Sequence, residues 1–178
     1  MRFHLWALTL LAVLWSGIAG AQVSTATVTG VVVDESKAVL PGATIVASDL
    51  ETGRTFVPFS ALNLDDKAEF ETRHGQGYTV FTSRHDDLEL ELTQTVDRSR
   101  PAKLSRLVLR NRGEDARSFR VYGYAEWVLG NNAQKSAPFV LSSFDEDTGA
   151  LFATNPYDIN YPGRTAFLAG LGKPDGYT

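Results

Sequence analysis

The chain contains no cysteine, and this absence excludes disulfide bonds, thiolate-bound zinc and a cysteine nucleophile. Histidine is almost as scarce: apart from His4 there are only His74 and His85, and neither has a second histidine at ligand spacing. The acidic string Asp145–Gly149 resembles the start of a calcium loop, but no glutamate stands at the closing position. We therefore expect no metal site, and nothing in the sequence requires a cofactor.

A strong excess of one charge is also lacking. The sequence holds 17 Lys and Arg residues against 21 Asp and Glu residues, and the two signs are mixed along the chain. Binding to a phosphate backbone needs a basic stripe or patch, which this sequence does not have. We therefore expect no nucleic-acid partner.

The acidic residues do not form a recognisable catalytic pair. Glycoside hydrolysis needs two carboxyl groups roughly 5–9.5 Å apart on either side of a bound sugar. Each acidic cluster falls instead at a predicted turn, where Asp and Glu are common because they are solvated and form local hydrogen bonds. We therefore predict no catalytic residue in the clusters Asp34-Glu35, Asp65-Asp66, Asp86-Asp87, Glu114-Asp115 and Asp145-Glu146-Asp147.

Only one long apolar run is present, and it lies at the N-terminus. Arg2 precedes the run Leu5–Ile18, which ends in the small residues Ala19-Gly20-Ala21. This pattern is typical of a secretory signal peptide, and the run is shorter than the roughly 20 residues that span a membrane. We predict a signal peptide at residues 1–21, cleavage before Gln22, and export to the periplasm or cell envelope. An uncleaved membrane anchor is the alternative.

Most of the remaining sequence has the pattern of β-strands. Aromatic and β-branched residues fill Tyr78–Arg84, and leucine alternates with polar residues in Leu88–Val96. Two further strands are predicted at Lys103–Arg112 and Ser118–Leu129, after short polar turns. The four strands predict an antiparallel meander with one face in the core and one in water. The fold class is therefore all-β, an antiparallel β-sandwich preceded by a short β-hairpin.

The fourth predicted strand carries aromatic residues on both of its faces. Such a strand is more often a central one, covered on two sides, than a platform for stacking sugars. We therefore predict core positions for Tyr124 and Trp127, with a sugar-stacking role as the alternative for both. The two faces hold Tyr122, Tyr124 and Val128 on one side, and Phe119, Val121, Ala125 and Trp127 on the other.

Several separated strings in this region resemble one known family. They are RHGQGYTVF from Arg73, SAPFVL from Ser136, DEDTGALFATNPY from Asp145 and GRTAF from Gly163. Together they resemble part of the β-supersandwich domain of glycoside hydrolase family 94, over about residues 66–172. That family includes cellobiose phosphorylases and cyclic beta-1,2-glucan synthases, and the resemblance implies a role in carbohydrate metabolism. It also implies that catalysis belongs to a separate (α/α) barrel, so we expect no activity from this chain alone.

A second resemblance precedes the first. Two β-rich runs, Thr27–Val33 and Ala43–Ala47, flank a turn that contains Pro41-Gly42. The segment resembles the opening hairpin of a carboxypeptidase regulatory-like domain. The predicted organisation is then a signal peptide (1–21), a partial regulatory-like hairpin (22–54), a junction (55–65) and a partial supersandwich (66–178).

The string Arg73–Tyr78 is the most family-like part of the chain and supplies most of the candidate site. Its two glycines favour a tight backbone or the close approach of another surface. One interpretation is that the string only shapes the start of a strand. The other is that its polar residues contact sugar or an interdomain face, which gives the carbohydrate-binding candidates Arg73, His74 and Gln76, with Trp127 added for its ring.

Three functions remain open from the sequence. The first is a noncatalytic carbohydrate-associated module whose partner is glucan or another oligosaccharide. The second is an inactive fragment of a phosphorylase or synthase whose missing catalytic barrel is encoded elsewhere. The third is a cell-envelope interaction protein built on the hairpin. Because a partial sandwich leaves strand edges unpaired, self-association through exposed edges is a further expectation.

Overall fold

The computed structural model describes residues 25–33, 43–60, 67–160 and 162–178, and for 25–33 and residue 43 only the backbone. The predicted signal peptide and the Pro41-Gly42 turn lie outside the described residues, as does half of the predicted junction. Within the described ranges, no helix has the length and apolarity needed to cross a membrane.

The regular secondary structure of the described chain consists almost entirely of β-strands, which confirms the all-β prediction. A four-residue helix, α1 (Ala133–Ser136), and a 3-10 turn at Ala137–Phe139 lie between the eighth and ninth strands. The strands are β1 (Thr25–Val33), β2 (Ala43–Asp49), β3 (Thr55–Phe56), β4 (Glu69–Gly75), β5 (Tyr78–His85), β6 (Leu88–Val96), β7 (Ala102–Asn111), β8 (Phe119–Ala125), β9 (Leu141–Asp145), β10 (Ala150–Thr154) and β11 (Thr165–Gly170).

These strands form two antiparallel sheets. Sheet A has eight strands in the order β4-β5-β6-β7-β1-β11-β10-β9, and sheet B has three in the order β3-β2-β8. Within sheet A, β4 to β7 form one meander and β9 to β11 form another. Strand β1 lies between the two meanders and pairs with β7 on one side and β11 on the other.

The predicted meander is confirmed for three of its four strands, but the fourth was assigned to the wrong sheet. Strand β8 leaves sheet A and pairs with β2 in sheet B. Contacts just before β8 direct this crossing, because the Arg117 side chain donates a hydrogen bond to Asp49 at the end of β2. The Leu50 amide also donates to the Ser118 carbonyl at 2.9 Å, and the Ser118 amide donates to Glu51 at 3.0 Å.

The prediction that the two N-terminal strands pair as a hairpin is wrong. Both strands exist, close to the predicted bounds, but β1 lies in sheet A while β2 lies in sheet B. An isolated two-stranded hairpin is marginal in water because it cannot bury its apolar face. Separation gives each strand two neighbours, since β1 lies between β7 and β11 and β2 lies between β3 and β8.

The hydrophobic core lies between the two sheets. Leu88, Leu90 and Leu92 of β6 are buried there, as their alternation predicts, and they pack with Ala47 and Phe56 from sheet B. The opposite face of β6 is less exposed to solvent than predicted. It carries Glu89, which is also buried and is surrounded by arginines.

Candidate functional site

The turn between β4 and β5 matches the glycine pattern of the sequence. Gly77 has a φ of 83°, a conformation that residues with a Cβ rarely adopt. A Cβ added at Gly75 would lie 2.1 Å from Cζ of Tyr78, so the tyrosine ring occupies the space that this glycine leaves open. Gly77 therefore permits the turn, and Gly75 permits the close approach of the Tyr78 ring.

The three candidates near this turn do not share one surface. Arg73 and His74 are neighbours in β4, so their side chains leave opposite faces of sheet A. Arg73 is exposed, with Nε 3.5 Å from Oε1 of Glu71, and Gln76 is exposed in the turn itself. His74 places Nδ1 3.1 Å from Oγ1 of Thr79 on β5.

His74 belongs to a line of polar side chains that crosses four strands. The pairing register places it opposite Thr79, then Gln94, then Ser105, and we call these four residues the polar row. Nε2 of Gln94 donates to Oγ of Ser105 at 3.4 Å. The row ranges from an exposed His74 to a buried Ser105.

The polar row continues the face of sheet A that carries the core. On β6, Leu90 and Leu92 precede Gln94 at two-residue spacing, and on β7, Ser105 precedes Leu107. Sequence reasoning found only His74 of this row. The switch from leucine to glutamine on one face of β6 was the signal that could have revealed the rest.

Trp127 is not brought to the polar row by any described strand pairing. It follows the end of β8 and is half-buried. In the described part of the chain, no aromatic ring pair includes it. Its half-buried ring does not fit the fully buried core position that we predicted, and its sugar-stacking role stays a prediction.

The predicted core position of Tyr124 is wrong. Tyr124 is 59% exposed and Tyr122, two residues earlier on the same face, is 48% exposed. Their strand is at the edge of sheet B rather than at its centre. The opposite face of β8 does pack inward, because Phe119 and Val121 contact the core.

Glu89 is the centre of the largest ionic cluster in the described chain. Its carboxylate lies 2.7 Å from Arg110, 3.1 Å from Arg112 and 3.4 Å from Arg84. Burial alone would raise the pKa of Glu89, but hydrogen bonds from Arg110 and Arg112 outweigh burial and lower it. Glu91 adds a second contact to Arg110 at 3.2 Å. The group stays ionised and holds β5, β6 and β7 together on this face.

Asp49 is a second buried carboxylate with a structural role. Burial would raise its pKa, but the backbone hydrogen bond from Thr52, the Arg117 side chain and the Glu51 amide together lower it to about 2. Nε of Arg117 donates to Oδ2 at 2.8 Å, and the amides of Glu51 and Thr52 donate to Oδ1 at 2.9 and 3.0 Å.

These carboxylates are arranged to remain charged. A general acid needs a pKa raised toward the working pH. In the described residues, the carboxyl groups whose pKa departs clearly from the usual value are all lowered, namely Asp49, Glu89, Asp97 and Asp145. Across all of the residues that the structure describes, no group of three or more His, Cys, Asp or Glu side chains could hold a metal ion.

Comparison with known proteins connects this fold to a family. The Glycosyl hydrolase 94, supersandwich domain matches residues 36–178, a range that includes β2 to β11 and leaves out β1. The chain is similar to the cyclic beta-(1,2)-glucan synthase NdvB of Rhizobium meliloti (strain 1021), with 55% identity over 138 residues. The alignment covers 78% of this chain and 5% of that much longer relative. The chain belongs to the glycosyl hydrolase 94 supersandwich family.

Proposed function

We propose that the chain is a noncatalytic domain of a cyclic beta-glucan synthase-like protein, and that it holds glucan against the polar row. The observation that carries the proposal is the row itself, a line of hydrogen-bonding groups on the core-facing side of sheet A. The similarity to a glucan synthase supports glucan as the class of ligand.

The chemistry of the row suits a sugar. Each hydroxyl group of a pyranose both donates and accepts hydrogen bonds, and so do an imidazole, a hydroxyl and a carboxamide. Gln94 offers both an N–H donor and a carbonyl acceptor, and Ser105 fixes its orientation. Gln76 lies in the adjoining turn and Arg73 lies in β4 with its side chain on the opposite face, so the two extend the proposed contact around the edge of β4.

Binding of linear β-1,2-glucan oligosaccharides to the full chain, followed by calorimetry or NMR titration, tests this role. His74→Ala and Gln94→Ala should each weaken binding about three- to tenfold, because each removes an uncharged hydrogen bond. Thr93→Ala is the matched control, since Thr93 precedes Gln94 but faces the other side of β6. Equal losses from Gln94→Ala and Thr93→Ala, or no binding by the parent chain, would refute the site.

We also propose that this domain works with a catalytic barrel and has no turnover of its own. The lowered pKa of Asp49 and of Glu89 supports this, because neither group can serve as a general acid near neutral pH. The chain should release no sugar phosphate from cellobiose or β-1,2-glucan in phosphate buffer. Turnover above that of a mock preparation would contradict the proposal.

Export is a proposal that rests on the N-terminal sequence. The run Leu5–Ile18 and the residues Ala19-Gly20-Ala21 support cleavage by a signal peptidase. N-terminal sequencing of protein expressed in a bacterial host should find a periplasmic form that begins at Gln22. A membrane-bound form that keeps residues 1–21 would contradict it.

A further inference from the structure

The sheet edges in the described part of the chain differ in how well they are protected against pairing. Charged side chains and short length protect an edge strand, whereas a long apolar edge can pair with another strand. Strand β4 carries Glu69, Glu71 and Arg73, and β3 has only two residues. Strand β9 has five residues and ends at Asp145.

Strand β8 has little of this protection. It is seven residues long and carries one charged residue, Arg120. Strand β2 pairs with it along its whole length on one side, and no described strand lies on the other side. Its solvent face presents Arg120, Tyr122 and Tyr124 at alternate positions, and all three are exposed.

The order of these three residues makes the strand complementary to itself. If two copies pair antiparallel about a two-fold axis at Tyr122, residues whose numbers differ equally from 122 lie opposite each other. Arg120 then faces the partner's Tyr124 at both ends of the pair, and the two copies of Tyr122 face each other at the centre. On the inner face, Val121 lies opposite the partner's Gly123, beside which Leu168 of β11 already packs.

We propose that β8 is a homodimerisation strand, which joins sheet B of two copies of this chain into one six-stranded sheet. An arginine over a tyrosine ring is an attractive cation–π pair, and tyrosines opposite each other on antiparallel strands also attract. A single seven-residue edge buries less area than a standard interface, so the dimer is a weak one, with a dissociation constant of about micromolar or above.

Because the chain has no cysteine, a single introduced cysteine tests the register directly. Tyr122→Cys places two thiols directly opposite each other, with Cα atoms roughly 4.5–5.5 Å apart, a separation within the range found in disulfides. Tyr124→Cys is the matched control, because its two thiols would be separated by four residues, about 13 Å along the strands. Under oxidised glutathione, Tyr122→Cys should form a covalent dimer at least about tenfold faster than Tyr124→Cys.

A charge substitution on the same face gives an independent test by sedimentation equilibrium of the full chain. Tyr122→Glu places two carboxylates opposite each other and should weaken association about tenfold. Tyr124→Glu places its carboxylate opposite the partner's Arg120 and should preserve association. Circular dichroism shows whether both variants remain folded.

Several outcomes would overturn the proposal. One is equal crosslinking of the two cysteine variants, and another is equal weakening of association by the two glutamate variants. Nonspecific association without a defined strand register predicts both results. A monomeric parent chain would also overturn it. A last outcome would refute both the dimer and the polar row. In that case the parent chain is monomeric, both glutamate variants lose glucan binding, and Gln94→Ala retains it. The tyrosines of β8 would then be a surface that stacks on sugar.

Discussion

Asp49 shows how one buried side chain connects two distant parts of the chain. It is the last residue of β2, it accepts two backbone hydrogen bonds from the following turn, and it binds Arg117 just before β8. Its side chain is fully buried, while that of Arg117 is one-fifth exposed. The pair therefore fixes the point at which the chain crosses from sheet A to sheet B.

Replacing Asp49 with asparagine should destabilise the fold by about 2–3 kcal/mol, because Arg117 loses its charge partner inside the protein. The partial exposure of Arg117 keeps the loss below that of a fully buried pair. Urea denaturation measures the change in the free energy of unfolding. Asp86→Asn is the control, since its ion pair with Arg54 is exposed and should be worth less than about 1 kcal/mol.

The same carboxylate predicts how stability depends on pH. Its pKa is about 2 in the folded protein, below its ordinary value of 3.8, so the unfolded chain takes up the proton first as the pH falls. The stabilisation is therefore complete above about pH 4 and is lost as the pH falls toward 2. The urea midpoint should fall over this range, and it should fall less steeply in Asp49→Asn. A urea midpoint that rises as the pH falls would contradict the predicted direction of the pH dependence.

At the scale of elements, β1, β5, β6 and β7 were readable from sequence, whereas β4, β9, β10 and β11 were not predicted as strands and the division into two sheets was not foreseen. Strand β6 begins and ends where its leucine alternation predicts, because alternation reports local geometry. The crossing of β8 depends on Asp49 and Arg117, which are 68 residues apart, and no local pattern encodes that contact. The polar row had a local signal in the change from leucine to glutamine on one face of β6, but the pairing of Gln94 with Ser105 depends on the strand register.

The ionic cluster on sheet A gives a prediction at this scale. Glu89→Gln should cost about 2 kcal/mol of stability, because three arginines on β5 and β7 and in the loop after β7 lose a shared carboxylate. Glu91→Gln should cost less than about 1 kcal/mol, since Glu91 is more exposed. Urea unfolding of both single variants and the double variant measures their coupling through Arg110. Equal costs would show that Glu89 is not the centre of the cluster.

At the scale of the whole molecule, the described chain has one compact core and several uncovered faces. Leu107 lies in that core and is 1% exposed, whereas Trp127 is only half-buried outside it. Trp127 is therefore not the main source of stability here, and the aromatic ring buried in the core is that of Phe56. The leucines of β6 and β7 fill that role, as their alternation predicts.

Thermal melts of two alanine variants test this distribution of stability. Leu107→Ala should cost about 2–5 kcal/mol, because it leaves a cavity between the sheets. Trp127→Ala should cost only about 1–2 kcal/mol, because water already reaches part of the ring. A loss at Trp127 as large as that at Leu107 would restore the core position predicted from sequence. An unchanged melting temperature would leave the ring free for a role at the surface.

The position of β1 has a consequence for the time course of folding. This strand precedes the other described strands in the chain, yet its partners are residues 102–111 and 165–170. The β4–β7 meander can form from near neighbours, whereas β1 gains both of its neighbours only when β11 has also formed. The first described strand in the chain is thus among the last to be enclosed, because its two neighbours come from distant parts of the sequence.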